Sequence, residues 1–204
     1  MPDAFASRGP VVHTLLPGAS VGVIGGGQLG RYFVIAAQRL GYKTWVLDPD
    51  AGAPAMQLAE HVVVAQYDDV EALNRLGMAC DAVTVEFENV PASSLELLES
   101  VTRVAPSAAA VKLAQDRALE KERAALLGLS PVPWARIASS KDVPNVVAEL
   151  GLPGILKTAT LGYDGKGQHV CTTEEELLRA WILSGAQHAF LSDKLNWLPS
   201  ALSC

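Results

Sequence analysis

The sequence predicts an α/β fold whose N-terminal part is a mainly parallel sheet flanked by helices. Three observations predict it. Short strand-like runs lie at Val21–Ile24, Lys43–Leu47, Val62–Ala65 and Ala82–Val85. Segments with helical spacing, Leu29–Leu40 and Asp69–Met78, separate pairs of these runs. A glycine cluster joins the first strand to the first helix, with Gly25, Gly27 and Gly30 in a G-x-G-x-x-G arrangement. Strands that alternate with helices build βαβ units, and such units lay their strands parallel.

Residues 1–20 read as a poorly ordered extension rather than a signal peptide. Asp3 is acidic, Arg8 is the sole basic residue, and Gly9, Pro10, Pro17 and Gly18 interrupt the apolar stretches. In the first helix Leu29, Phe33, Ala36, Ala37 and Leu40 share one side, the expected core face, and Gly41 is the stop signal. The second strand ends at Asp48-Pro49, and Asp68 or Asp69 caps the helix that precedes the fourth strand. The character changes near Pro106-Ser107. Ala108–Leu127 reads as one long amphipathic helix stopped by Gly128, with Pro131 and Pro133 marking a linker. Trp134–Ala138 is a candidate strand, and Ser140 is placed to cap a helix over Lys141–Leu150. Ile155–Thr158 is a buried strand with Gln168–Cys171 as its hairpin partner. Thr173 and Glu176 have capping-box spacing for a helix over Glu174–Leu183. The expected domains are thus an extension (1–20), a parallel-sheet domain (21–105), a helix leading into a second domain (106–184) and a tail of weak periodicity (185–204).

Composition removes several function classes. The 204 residues are 50% hydrophobic and 19% charged, enough to bury a core. A net charge of −6 and the lack of a basic stripe oppose general nucleic-acid binding. No apolar run approaches the ~20 residues that span a bilayer, so no membrane role is expected. Cys80, Cys171 and Cys204 fit neither a zinc pattern nor a disulfide framework, which favours a reducing cytosol.

The chemistry-bearing residues fall in three places. At the first turn, glycines allow close backbone approach and the helix N-terminus offers free N–H groups to an anion. Asp48 follows at the distance of a ribose-binding carboxylate. The turn is either a nucleotide or phosphate site or a ligand-free tight turn, and Gln28 either bonds a substrate ring or holds the turn. Glu86, Phe87, Glu88 and Asn89 follow the fourth strand, where open α/β sheets bind ligands. In an extended chain Glu86 and Glu88 would share one side. The third place is Lys157 at the end of its apolar strand, followed by Gly162-Tyr163-Asp164-Gly165-Lys166-Gly167-Gln168. Lysine and a glycine-rich loop together suit a triphosphate held under a flap, although the order is not that of a Walker-type loop. Lys166 either touches phosphate or is solvated. Arg117, near Lys112, Asp116 and Lys121, reads by itself as part of a charged helix face.

Taken in order, Gly25–Arg31, Glu86–Pro91, Gln115-Asp116-Arg117 with Lys121, and Lys157 with Gly162–Gln168 closely resemble N5-carboxyaminoimidazole ribonucleotide synthase. That family comprises ATP-grasp ligases of purine biosynthesis, and the resemblance covers about 20–184. It implies a Rossmann-like pre-ATP-grasp domain followed by an incomplete ATP-grasp domain. It implies a reaction in which ATP phosphorylates bicarbonate and the carboxyl group reaches the exocyclic amine of aminoimidazole ribonucleotide. By matching positions, Arg117, Lys157 and Gly162–Gln168 contact ATP, while Gln28, Leu29 and Glu86 lie on the ribonucleotide side.

Two departures accompany the resemblance. Leu161 stands where many members carry another glycine, which implies a stiffer loop. The family's adenine-contacting strand and magnesium ligands lie beyond the resemblance. His188–Leu191 occupies the strand's place and the residues after it match nothing in the family. The expectation is a frameshifted or truncated tail and a 204-residue polypeptide that does not turn over. Full-length members are typically homodimers. Two other readings remain: an NAD-dependent oxidoreductase built on Gly25–Gly30 and Asp48, and a non-catalytic remnant that binds ribonucleotide or a partner.

Overall fold

A computed structural model describes residues 14–158, 168–185 and 189–193, with Phe190 and Asp193 by their backbone alone. The chain divides into two compact units between Ala109 and Ala110.

The first unit is a five-stranded parallel sheet. Its strands are β1 (Ser20–Ile24), β2 (Lys43–Asp48), β3 (His61–Val64), β4 (Ala82–Val85) and β5 (Arg103–Val104), in the order β3-β2-β1-β4-β5. The helices are α1 (Gln28–Arg39), α2 (Val70–Ala79) and α3 (Ala92–Glu99), and α4 (Ala108–Gln115) starts here. Apolar burial drives the assembly: Val23, Val34, Val46, Ala53, Ala55 and Met56 form one buried cluster around β1, β2 and α1. The strand order reverses between β1 and β4. The two chains therefore leave the sheet in divergent directions and open a crevice at the strands' C-terminal ends.

The first helix buries a different face from the one its sequence suggests. Gly30, Val34 and Ala37 face the sheet, while Leu29 and Leu40 are each 65% exposed. Close approach of α1 to the glycine turn selects the small Gly30 and turns the larger Leu29 outward. Asp69 caps α2, accepting from Ala72 N at 2.9 Å. Neither α3 nor β5 is expected from the sequence. The Glu86–Pro91 segment does not stay extended: the chain turns directly after β4.

The second unit contains a four-stranded antiparallel sheet of β6 (Trp134–Ile137), β7 (Gly154–Thr158), β8 (Gln168–Cys171) and β9 (Ala189–Asp193), in the order β6-β9-β7-β8. Its helices are α5 (Arg117–Leu126), α6 (Val143–Leu150) and α7 (Glu174–Ser184). Ile137, Val143, Val146, Leu156, Leu177 and Leu191 are the large members of its core. The expected single helix over Ala108–Leu127 is two helices. Asp116 leaves helical geometry at φ −117° and ψ 107°, and its carboxylate accepts from Ala118 N and Leu119 N. The helix after β6 starts differently too. Ser139, not Ser140, makes the capping box with Asp142, over a short 3₁₀ turn (Ser140–Asp142) before α6. Thr173 and Glu176 form the expected box on α7. Within 185–204, the expected tail, β9 lies between β6 and β7 as an interior strand. Among the described residues no helix is long and apolar enough to cross a membrane.

Candidate functional site

In the first unit the crevice between β1 and β4 brings the glycine turn and Glu86 together. Gly25 has φ +101°, a conformation that L side chains rarely adopt. Its N–H donates to the Leu47 carbonyl, and Glu86 N donates to the Ile24 carbonyl, so the turn is pinned from both neighbouring strands. The Glu86 carboxylate then folds over the first turn of α1, where Oε2 accepts from Gly30 N. The cap residue of α1, Gly27, has no side chain to offer, and Glu86 supplies the missing acceptor from another strand. A Cβ on Gly27 would run into Glu86 Oε1, and one on Gly30 would run into the Gly25 carbonyl. These glycines are required by close approach.

The opposite wall of the turn is Asp48, which is 6% exposed. Its Oδ2 accepts from Gly26 N at 2.6 Å and from the Tyr67 hydroxyl at 2.8 Å, and its Oδ1 accepts from Asp50 N at 2.8 Å. The Tyr67 ring meets Phe87 edge-on, with centroids 5.4 Å apart. Burial, followed by the Asp48 hydrogen bond and the charges of Asp48 and Glu86, pushes the Tyr67 hydroxyl pKa up.

This arrangement opposes the dinucleotide reading. A pyrophosphate would need the N-terminus of α1, which already holds a carboxylate, and a ribose would need Asp48, whose oxygens are engaged inside the turn. Gln28, Leu29 and Glu86 gather at one turn, with Gln28 and Leu29 exposed and Glu86 half-buried. Tyr67 is not among the residues the sequence motifs single out, although it carries a signal: one aromatic isolated in the polar run Gln66–Asp69 after a strand.

In the second unit the cations converge. The break at Asp116 makes Arg117 the first residue of α5, and Lys121 follows one turn later. Burial lowers the Lys121 pKa, and the charges of Lys157 and Arg117 lower it further against the opposing effect of Glu120. Burial and then the Arg117 charge lower that of Lys157 on β7. Three like charges that perturb one another form a region suited to a polyanion. Arg136 lies 3.9 Å from both Asp116 and Glu122, and its half-exposed pairs contribute little to stability. Lys157 is opposite Gln168 in the β7–β8 register, so 159–167 connects the strands at the lysine's end. Gly162, Tyr163, Asp164, Gly165, Lys166 and Gly167 lie outside the described residues; Gln168 is exposed at the start of β8. Among the described residues no group of three or more His, Cys, Asp or Glu is arranged to hold a metal ion.

Comparison with known proteins matches both units. A ribonucleotide synthetase preATP-grasp domain model matches residues 19–115, and an ATP-grasp domain model matches 122–194. The second match includes β9. The N5-carboxyaminoimidazole ribonucleotide synthase of Brucella melitensis is 46% identical over 155 residues, 76% of this chain and 43% of that protein. The chain belongs to the N5-carboxyaminoimidazole ribonucleotide synthase family. The solved Staphylococcus aureus N5-carboxyaminoimidazole synthetase complexed with ADP superposes with a TM-score of 0.85 at 40% identity, over 89% of this chain and 49% of that one. An Aspergillus clavatus N5-carboxyaminoimidazole synthase in complex with ADP and 5-aminoimidazole ribonucleotide gives 0.79 at 29% identity, over 87% of this chain and 46% of that one. The chain therefore spans about half the length of the synthases it matches. The parallel sheet followed by ATP-grasp strands is the α/β architecture expected of this family.

Proposed function

We propose that the chain carries the ribonucleotide side and the triphosphate-contacting cations of an enzyme that carboxylates 5-aminoimidazole ribonucleotide with bicarbonate and ATP in purine biosynthesis. The observation that carries this reading is the convergence of Arg117, Lys121 and Lys157, with both lysines depressed by burial and by neighbouring positive charge. Such a cluster gains Coulomb energy when phosphates arrive. The Aspergillus clavatus relative that holds ADP together with aminoimidazole ribonucleotide supports the pairing of these two ligands.

In this reading Arg117, Lys157 and Gln168, with Gly162, Tyr163, Asp164, Gly165, Lys166 and Gly167, contact ATP. Gln28, Leu29 and Glu86 line the ribonucleotide side. The cations stabilise charge on the phosphoryl group as it moves to bicarbonate, and the loop excludes water from the labile acyl phosphate. The amine then attacks the carboxyl carbon, and ADP and phosphate leave. Among the described residues no group of three or more His, Cys, Asp or Glu is arranged to hold the family's magnesium. A purine-biosynthetic role places the protein in the cytosol, where its free, buried Cys80 and Cys171 stay reduced.

Isothermal titration with ADP tests the reading. Lys157→Met should weaken ADP binding at least about tenfold, the loss of one charge-assisted phosphate contact. Undiminished ADP affinity in that variant, or NADH binding in preference to ADP, would sink the proposal.

A further inference from the structure

Tyr67 lies where two walls of the glycine turn meet. Its place is fixed by the backbone on either side. Ala65 N donates to the Asp48 carbonyl, Asp69 N donates to the Gln66 carbonyl, and Asp69 then caps α2. From this short, anchored loop the hydroxyl reaches Asp48 Oδ2, the same oxygen that holds Gly26 N. The ring packs edge-on against Phe87, whose chain neighbour Glu86 holds Gly30 N. One half-buried side chain thus touches the Asp48 wall by a hydrogen bond and the Glu86 wall by ring packing.

We infer that Tyr67 is a positioning residue of the ribonucleotide site, which fixes the Glu86 carboxylate over the first turn of α1. The consequence is chemical. With Oε2 bound to Gly30 N, Glu86 Oε1 takes no hydrogen bond among the described residues and stands over Gly27. A carboxylate held there repels a phosphate and accepts from an N–H or O–H. The turn therefore receives the donor-bearing part of the ligand, an amine or a ribose hydroxyl, and the ligand's phosphate lies away from α1. Loss of the Tyr67 hydroxyl leaves a buried carboxylate oxygen of Asp48 short of a donor, which loosens Gly26. Loss of the ring contact frees Phe87 and lets Glu86 rotate from Gly30.

The identity of the ligand rests on the carboxylation reading, and the experiment separates the two. Tyr67→Phe keeps the ring and removes the hydroxyl. Aminoimidazole ribonucleotide and ADP are titrated into the wild-type and variant 204-residue chains, and the amide resonances of Gly26 and Gly30 are followed by heteronuclear NMR. The expected result is a loss of about tenfold in ribonucleotide affinity, unchanged ADP affinity and displaced Gly26 resonances. Phe87→Leu, which keeps the hydroxyl bond, should displace Gly30 more than Gly26, and it serves if Tyr67→Phe does not fold. A purely structural tyrosine would lower the melting temperature without this split between the two amides or between the two ligands. If the wild type binds no ribonucleotide, the carboxylation reading fails while the amides still decide the role of Tyr67. Amides unmoved in both variants overturn the inference.

Discussion

Gly30 shows how narrowly the turn is built. A methyl group there would meet the Gly25 carbonyl, a backbone atom that cannot swing away, and would lie 2.8 Å from Glu86 Oε2. Gly30→Ala should therefore destabilise the first unit by about 1–3 kcal/mol, as overpacking does, and should abolish ribonucleotide binding; denaturant unfolding and titration measure both. At Lys121 and Lys157 the sign of the titration is definite. Both pKa values are lowered in the folded chain, so near and below pH 10.5 the unfolded chain binds more protons. Their contribution to stability consequently rises with pH through that alkaline window. A bound triphosphate favours the charged forms, so nucleotide binding should take up protons at alkaline pH. Calorimetry in buffers of different ionisation enthalpy detects this, and proton release would contradict it. The Cys80 thiol, pushed up to about 12 by burial and then by Asp81, has no place in this chemistry.

The elements were legible in proportion to the strength of their local signals. Val21–Ile24 and Ala82–Val85 announce themselves by apolar runs between breakers, and Thr173 with Glu176 announces α7. Thr173→Ala removes an acceptor for Glu176 N and should cost about 1 kcal/mol of second-unit stability, readable as a lower urea midpoint with an unchanged slope. The Glu176 carboxyl, held below its usual range first by the Thr172 hydroxyl and then by Thr172 N, adds stability that is present above pH 4.5 and lost as pH falls through its lowered folded value. Other elements were hidden. β5 has two residues and no periodicity to read, and α3 follows Pro91 with little more than Leu95 and Leu98 as a buried pair. The break between α4 and α5 ran against propensity: Ala, Leu, Lys and Glu favour one helix, but the Asp116 carboxylate takes two backbone N–H groups and starts a second. That break places Arg117 at a helix start.

At the scale of the molecule, each unit holds a different part of the proposed chemistry. The family resemblance was readable because four motifs stand in one order along the chain, and domain models confirm both parts. The matched synthases extend to about twice this length. The sequence by itself determined the α/β class, the strand–turn–helix start and the family. All of these depend on local pattern and on order along the chain. Only the tertiary structure decided which groups meet. Glu86 reaches the N-terminus of α1 across 56 residues, and Asp48 and Tyr67 bond across 19. A parallel sheet sets such distances through crossovers, which leave no trace in local periodicity. Thus the glycine turn that suggests a phosphate site in sequence is, once folded, already filled by the protein's own carboxylate.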